Sequence, residues 1–176
     1  MLMRKTLLVA FGLLALSVAH AEEKAALTCE ALKFLTLYDV QGLRGGQNIY
    51  IMKNTLVIQL VGVPKAGQSG LQEKRYETKI EDKELEKLVE LLNAHKFMTL
   101  ESSKRPGIPD ESRPTITVAP KEGDSKSVYK WGGDKNKDFD PIYLWLLGLT
   151  KTSIKNVKPT FEGNYDYSWR PADLEK

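Results

Sequence analysis

The sequence predicts an α+β fold, an antiparallel sheet of about five to six strands with two helices packed on one face. Three observations lead there. Short β-rich runs alternate apolar and polar side chains and pair across turns, two longer segments repeat apolar residues at helical spacing, and the order is strands, one helix, two strands, one helix.

The chain begins with a different kind of segment. Arg4 and Lys5 precede an apolar run over residues 6–18 (TLLVAFGLLALSV), and Ala19-His20-Ala21 follows in the small-x-small pattern of a cleavage site. These are the three parts of a secretory signal peptide, residues 1–21. A run of about thirteen residues falls short of the roughly 20 needed to span a bilayer as a helix. Cleavage removes 21 of 176 residues and leaves 155, enough for one domain with a real core. The expected organisation is a single α+β domain over residues 22–152 and a C-terminal tail over 153–176. No later segment reaches transmembrane length, so the mature chain is expected to be periplasmic or secreted, with no transmembrane segment.

Residues 32–40 (LKFLTLYDV) alternate and stop at Gly42, and residues 48–52 and 56–63 form a hairpin across Lys53-Asn54-Thr55. Pro64, Gly67 and Gly70 mark a loop, and residues 74–80 (KRYETKI) read as a polar strand suited to a sheet edge. Residues 81–95 are the clearest helix. Leu85, Leu88, Val89, Leu91 and Leu92 share one face, and Glu81, Asp82 and Glu84 crowd the amino end. Phe97 and Leu100 close it, a charged loop over 101–114 carries three prolines, and residues 115–118 and 127–131 form a second hairpin across residues 121–124. A last helix runs from Pro141 to about Thr152 with Asp140 as its cap. The expected core is Leu56, Ile58, Leu60, Leu88, Leu92, Phe97, Ile116, Val118, Val128 and the 143–147 face.

Charge excludes one class of partner. Without Arg4 and Lys5, 24 basic residues face 23 acidic ones, and a balance so near neutral gives nucleic-acid binding no support. The single Cys29 makes no internal disulfide and reads as a buried inert thiol, the alternative being a reactive or intermolecular one. It sits beyond Glu22, Glu23 and Lys24, outside the position of a lipid-anchoring cysteine.

Candidate chemical motifs fail on spacing. Residues 62–69 imitate a phosphate-binding loop with Gln68 in place of its lysine and no helix following. Ser127 and Lys130 fit S-x-x-K, but in a strand residues three apart face opposite ways. Asp134, Asn136, Asp138 and Asp140 open like a Ca²⁺ loop, yet Phe139 and Trp145 stand where glycine and a bidentate glutamate belong. His95 at a helix carboxyl end reads as a structural cap. No metal site and no cofactor is expected. Carboxylates alone remain for catalysis, with Asp110, Glu111 and Glu101 in or beside the proline-rich loop.

The stretch from about Asn48 to Thr152 resembles a class of small exported bacterial domains of unknown function. The shared features are the early hairpin, the Gly-bearing loop to Gly70, the Leu85, Leu88 and Leu92 helix closing on Phe97 and Leu100, the Pro109-Asp110 to Pro114 segment, the second hairpin and the closing helix. The resemblance implies export and a sheet-and-helix fold, and brings no catalytic residue.

The tail lacks apolar periodicity but holds Phe161, Tyr165, Tyr167 and Trp169, so it is either laid across the sheet or free to bind a partner. Spaced by two, Tyr165, Tyr167 and Trp169 would project from one side of an extended segment, with Arg170 beside them. That makes them the candidate partner-binding residues. The leading expectation is a non-enzymatic binding or interaction module of the bacterial cell envelope, its partner an envelope protein or a cell-wall component. The alternative is a small carboxylate-dependent hydrolase acting on envelope polymers.

Overall fold

A computed structural model describes residues 26–174, so the signal peptide expected over residues 1–21 lies outside the described residues. The elements are β1 (Leu32–Gln41), β2 (Gly45–Met52), β3 (Thr55–Gly62), β4 (Gln72–Lys79), α1 (Asp82–Ala94), β5 (Thr115–Pro120), β6 (Lys126–Tyr129), α2 (Asp140–Ser153) and β7 (Phe161–Asn164). They form one antiparallel sheet in the order β6-β5-β1-β2-β3-β4-β7. The fold is α+β, with seven strands where the sequence predicts five to six. The extra strand is β7, four largely exposed residues of the tail whose FEGN sequence carries no alternation. By pairing with β4 it makes β4 an interior strand, where the polar KRYETKI pattern predicts an edge.

Alternation in the strands sorts side chains onto two faces. Leu35 and Leu37 of β1, Ile49 and Ile51 of β2, Leu56 and Ile58 of β3, and Ile116, Val118 and Val128 of the second hairpin meet Leu85, Leu88, Val89 and Leu92 of α1 and Ile142, Leu146 and Leu149 of α2. Both helices therefore lie on this one face. Leu60, on the same side, is only partly buried; it lies two residues from the end of β3, opposite Lys74.

Helix α1 starts without a side-chain cap, and Asp82 and Glu84 in its first turn complement the helix dipole. Its final turn holds the start of the domain in place. Asn93 Nδ2 donates to the Leu27 carbonyl at 2.8 Å and Asn93 Oδ1 accepts from the Leu27 amide at 2.9 Å. Helix α2 begins one residue earlier than expected. Asp140 is its first residue rather than its cap; Phe139 holds the cap position without a side-chain bond, and Asn136 Oδ1 closes the turn just before it, accepting from the Asp138 and Phe139 amides at 3.1 and 3.0 Å. The Asp140 carboxylate pairs with Lys130 Nζ at 2.6 Å. Among the described residues no helix is long and apolar enough to cross a membrane.

The tail covers the opposite face. After β7 the chain reverses at Asp166, whose Oδ1 accepts from the Ser168 amide at 2.8 Å and hydroxyl at 2.6 Å, and then runs back over β1 to β3. Tyr50, Met52 and Val57 are buried there against Phe34, Tyr38, Trp169 and Leu174.

Candidate functional site

The four tail residues do not share one side. The turn at Asp166 breaks the extended geometry that would have aligned them. Tyr165 is half-buried, its hydroxyl accepting from Asn48 Nδ2 at 3.2 Å. Trp169 lies edge-on to Tyr50 with ring centroids 5.9 Å apart, and the Arg75 guanidinium sits 3.9 Å from its ring centroid. Arg170 stacks over Tyr38 at 4.8 Å and donates to the Tyr167 and Trp169 carbonyls. Tyr167 alone projects outward, its ring 4.3 Å from that of Tyr165.

Beneath this strap lies a polar row. Asn48, Gln59 and Glu73 are all buried on adjacent strands. Asn48 donates to Gln59 Oε1 at 2.8 Å, Gln59 donates to Glu73, and Arg75 pairs with the same carboxylate. Phe161 and Trp169 clamp the Arg75 guanidinium from both sides, at 4.3 and 3.9 Å. Asn48, Gln59 and Glu73 are bonded to one another along the row and its aromatic cover is the tail itself, so these groups hold the strap down.

Residues singled out for chemistry are occupied by structural work. The two oxygens of Glu111 accept from Arg105 at 2.5 and 3.0 Å and one accepts from the Gly133 amide at 2.9 Å. Arg105 first, then that amide, hold its carboxyl below the ordinary range. Asp134 is lowered likewise, by the Ser103 hydroxyl and then by Arg105. Glu101 pairs with Lys104 at 2.6 Å on the surface. Asp110 is exposed, adopts a left-handed backbone (φ 61°) and receives the Gln41 side chain on its carbonyl. Arg105 and Arg113 flank the Trp131 ring at 5.8 and 5.7 Å, and Gly107 lies flat against it. Loop 101–114 is thus wrapped around Trp131.

The remaining motifs are dispersed. Of the Ca²⁺-like ligands, Asp134 faces Ser103 and Arg105, Asp138 faces His95 Nδ1 at 3.3 Å, and Asp140 faces Lys130. Among the described residues no group of three or more His, Cys, Asp or Glu side chains is placed to hold a metal ion. Ser127 Oγ bonds Thr117 Oγ1 at 3.1 Å while Lys130 turns to Asp140. Cys29 is half-buried beside Glu30, Glu86 and Asp82, and burial first, then those carboxylates, push its thiol upward, away from the reactive thiolate.

One end of the molecule stands apart. Antiparallel pairing brings together the turn 42–44, the loop 63–71, the segment 101–114 that enters β5, the loop 130–139 and the strap turn 165–168. The ladder also sets their height. Gly45 abuts the Val61 carbonyl, the Tyr165 amide donates to the Leu71 carbonyl one rung beyond Gln72, and Gln41 reaches the Asp110 carbonyl. Leu43, Val63, Ile108 and Tyr167 therefore crown the same end, 65%, 57%, 65% and 63% exposed. The other exposed large hydrophobics among the described residues are Leu144 on α2 and Phe161 at the start of β7. The turns at the opposite end contribute none. Sequence reasoning passed over Leu43, Val63 and Ile108, although each stands beside Gly or Pro in a loop, where a large apolar side chain has no element to bury it. Comparison with protein-family models, with curated proteins and with solved structures found no match for the chain.

Proposed function

We propose that the mature chain is a non-enzymatic binding module of the bacterial cell envelope and that it engages its partner through the loop-bearing end of the sheet. The observation that supports this reading is the gathering of Leu43, Val63, Ile108 and Tyr167 at that end, each on a separate loop held by a rigid sheet. Export rests on the signal pattern of residues 1–21 and on the resemblance to small exported domains. Tyr167 keeps the tail in the interface, whereas Tyr165, Trp169 and Arg170 serve by anchoring the strap that carries it.

The test is capture of envelope components and of purified peptidoglycan by the mature protein and by a Leu43→Ser, Val63→Ser, Ile108→Ser variant. Removing the tail is a poor probe, since it would also take away β7 and the cover of Tyr50. Capture by the unmodified protein, lost in the variant at an unchanged melting temperature, is the expected result. Turnover of peptidoglycan that depends on Asp110 or Glu111 would replace this reading with a carboxylate hydrolase.

A further inference from the structure

We infer that the partner of the loop end is an anionic lipid bilayer, on whose surface the domain sits with its strands pointing toward the membrane; this rests on the binding-module reading above. A protein-docking surface concentrates its apolar contact in one desolvated centre surrounded by a polar rim. Here the large apolar side chains are strung along one end of the sheet rather than gathered into one centre. Ile108 stands over β1, Leu43 over the β1–β2 turn, Val63 beyond β3 and Tyr167 beyond β7, a span of four strand spacings or about 20 Å.

Cations accompany them at this end. The five loops at this end hold eight Lys and Arg against six Asp and Glu, and the acids are the better neutralised. Glu111 and Asp134 are tied to Arg105, Glu101 to Lys104, and Asp138 faces His95. Arg44, Lys65, Lys135 and Lys137 are exposed and enter no ion pair among the described residues. Arg44 follows Leu43 directly and Lys65 lies two residues after Val63. Interleaved apolar tips and free cations at one level match the boundary between headgroups and acyl chains, where apolar side chains enter and Lys or Arg meets phosphate. Tyr167 adds the aromatic type enriched at that depth. The concavity nearest the tips, an open groove of about 440 Å³, is walled by Lys65, Gln72 and the Lys74–Glu162 pair, with Leu60, Val61 and Val63 as its apolar lining. It offers a partner protein no deep apolar socket.

Co-sedimentation of the mature protein with vesicles of phosphatidylcholine alone, and of phosphatidylcholine mixed with phosphatidylglycerol, tests the inference. Binding to the mixed vesicles only, weakened by salt, is expected. Arg44→Glu with Lys65→Glu should lower that binding by at least about tenfold, and the triple Leu43→Ser, Val63→Ser, Ile108→Ser variant should lower it comparably. Lys53→Ser with Lys155→Ser, at the opposite end, should leave it unchanged. The charge reversal touches no packed residue and so keeps the test valid if the triple variant misfolds. Failure to sediment with anionic vesicles, or sedimentation indifferent to the loop-end substitutions, overturns the bilayer proposal. If loop-dependent capture of peptidoglycan or a protein persists in that case, the binding module stands and only its partner changes; if that capture is also absent, both readings fall.

Discussion

The two faces of the sheet solve the same burial problem differently. The helix-covered face is dry: Leu35, Leu37, Ile49, Ile51, Leu56 and Ile58 are fully buried under aliphatic stripes of α1 and α2. The strap-covered face buries Asn48, Gln59 and Glu73 beside Tyr50 and Val57 and seals them with Trp169 and Tyr165. The difference teaches what each kind of cover can do. A helix presents an apolar stripe about 100° wide, broad enough to exclude water across several strands. A single extended strand has room for one side chain every other residue, so its contacts must be large, flat and polar at one edge, which Trp, Tyr and the Arg75 guanidinium provide. The strap face also keeps polar groups without a hydrogen-bonding partner among the described residues, the Tyr50 hydroxyl and Arg75 Nε.

Substitutions on the two faces sharpen that contrast. The largest effect is expected at Arg75. Arg75→Ala leaves the Glu73 carboxylate buried and uncompensated and should cost about 3–5 kcal/mol in urea unfolding, whereas Glu73→Gln combined with Arg75→Met should recover most of it. A loss below about 1 kcal/mol would mean the strap opens and water reaches the pair. On the other face Leu88→Ala should cost about 2–5 kcal/mol through the cavity it leaves. Trp169→Ala, removing a half-buried ring, should cost about 2 kcal/mol. Its effect should add to that of Leu88→Ala within about 0.5 kcal/mol, because the two sites share no partner. Strong coupling between them would break the picture of two independent faces.

Smaller effects come from titration. Burial raises the Asp39 carboxyl, while the Tyr143 hydroxyl, donating at 2.6 Å, and Lys130 pull the other way. A raised carboxyl makes the folded state bind its proton more tightly than the unfolded chain does, so ionised Asp39 opposes folding at neutral pH and that cost fades as pH falls through the raised value. Asp39→Asn keeps an acceptor for Tyr143 and should leave stability equal or higher by less than about 1 kcal/mol near neutrality, with the gain vanishing in acid. Glu111 has the opposite sign. Its lowered carboxyl contributes stability above the ordinary carboxylate range and loses it as pH falls through the depressed value. The Glu111→Gln protein should therefore show a shallower acid limb in melting temperature against pH than the unmodified chain, and an unchanged limb would show that Arg105 does not hold this loop in solution.

Much of the architecture was legible before any coordinates. Leucines at helical spacing marked α1 to within a residue at each end, and alternation with turn residues marked both hairpins. Burial of β2 and β3 on both faces was also written in the chain, since NIYIM and LVIQLV are nearly continuous apolar runs where a half-covered strand would alternate. Strand β7 left no such trace: Glu162 and Asn164 are exposed, and their pairing with β4 depends on backbone groups that every sequence carries. The cap of α2 was misplaced because Asp140 is a favoured cap type, whereas the backbone is already helical at Phe139, behind the turn that Asn136 closes.

Apart from β7, the sequence by itself determined the kinds of element and their order, because both follow from spacing over a few residues. The tertiary structure alone decided that the tail closes the second face, that Arg75 lies between Phe161 and Trp169, and that Leu43, Val63, Ile108 and Tyr167 share one end. Those residues are separated by tens of positions with no period. An antiparallel ladder brings them level by register and hydrogen bonding between distant strands, a relation that no local pattern of side chains encodes.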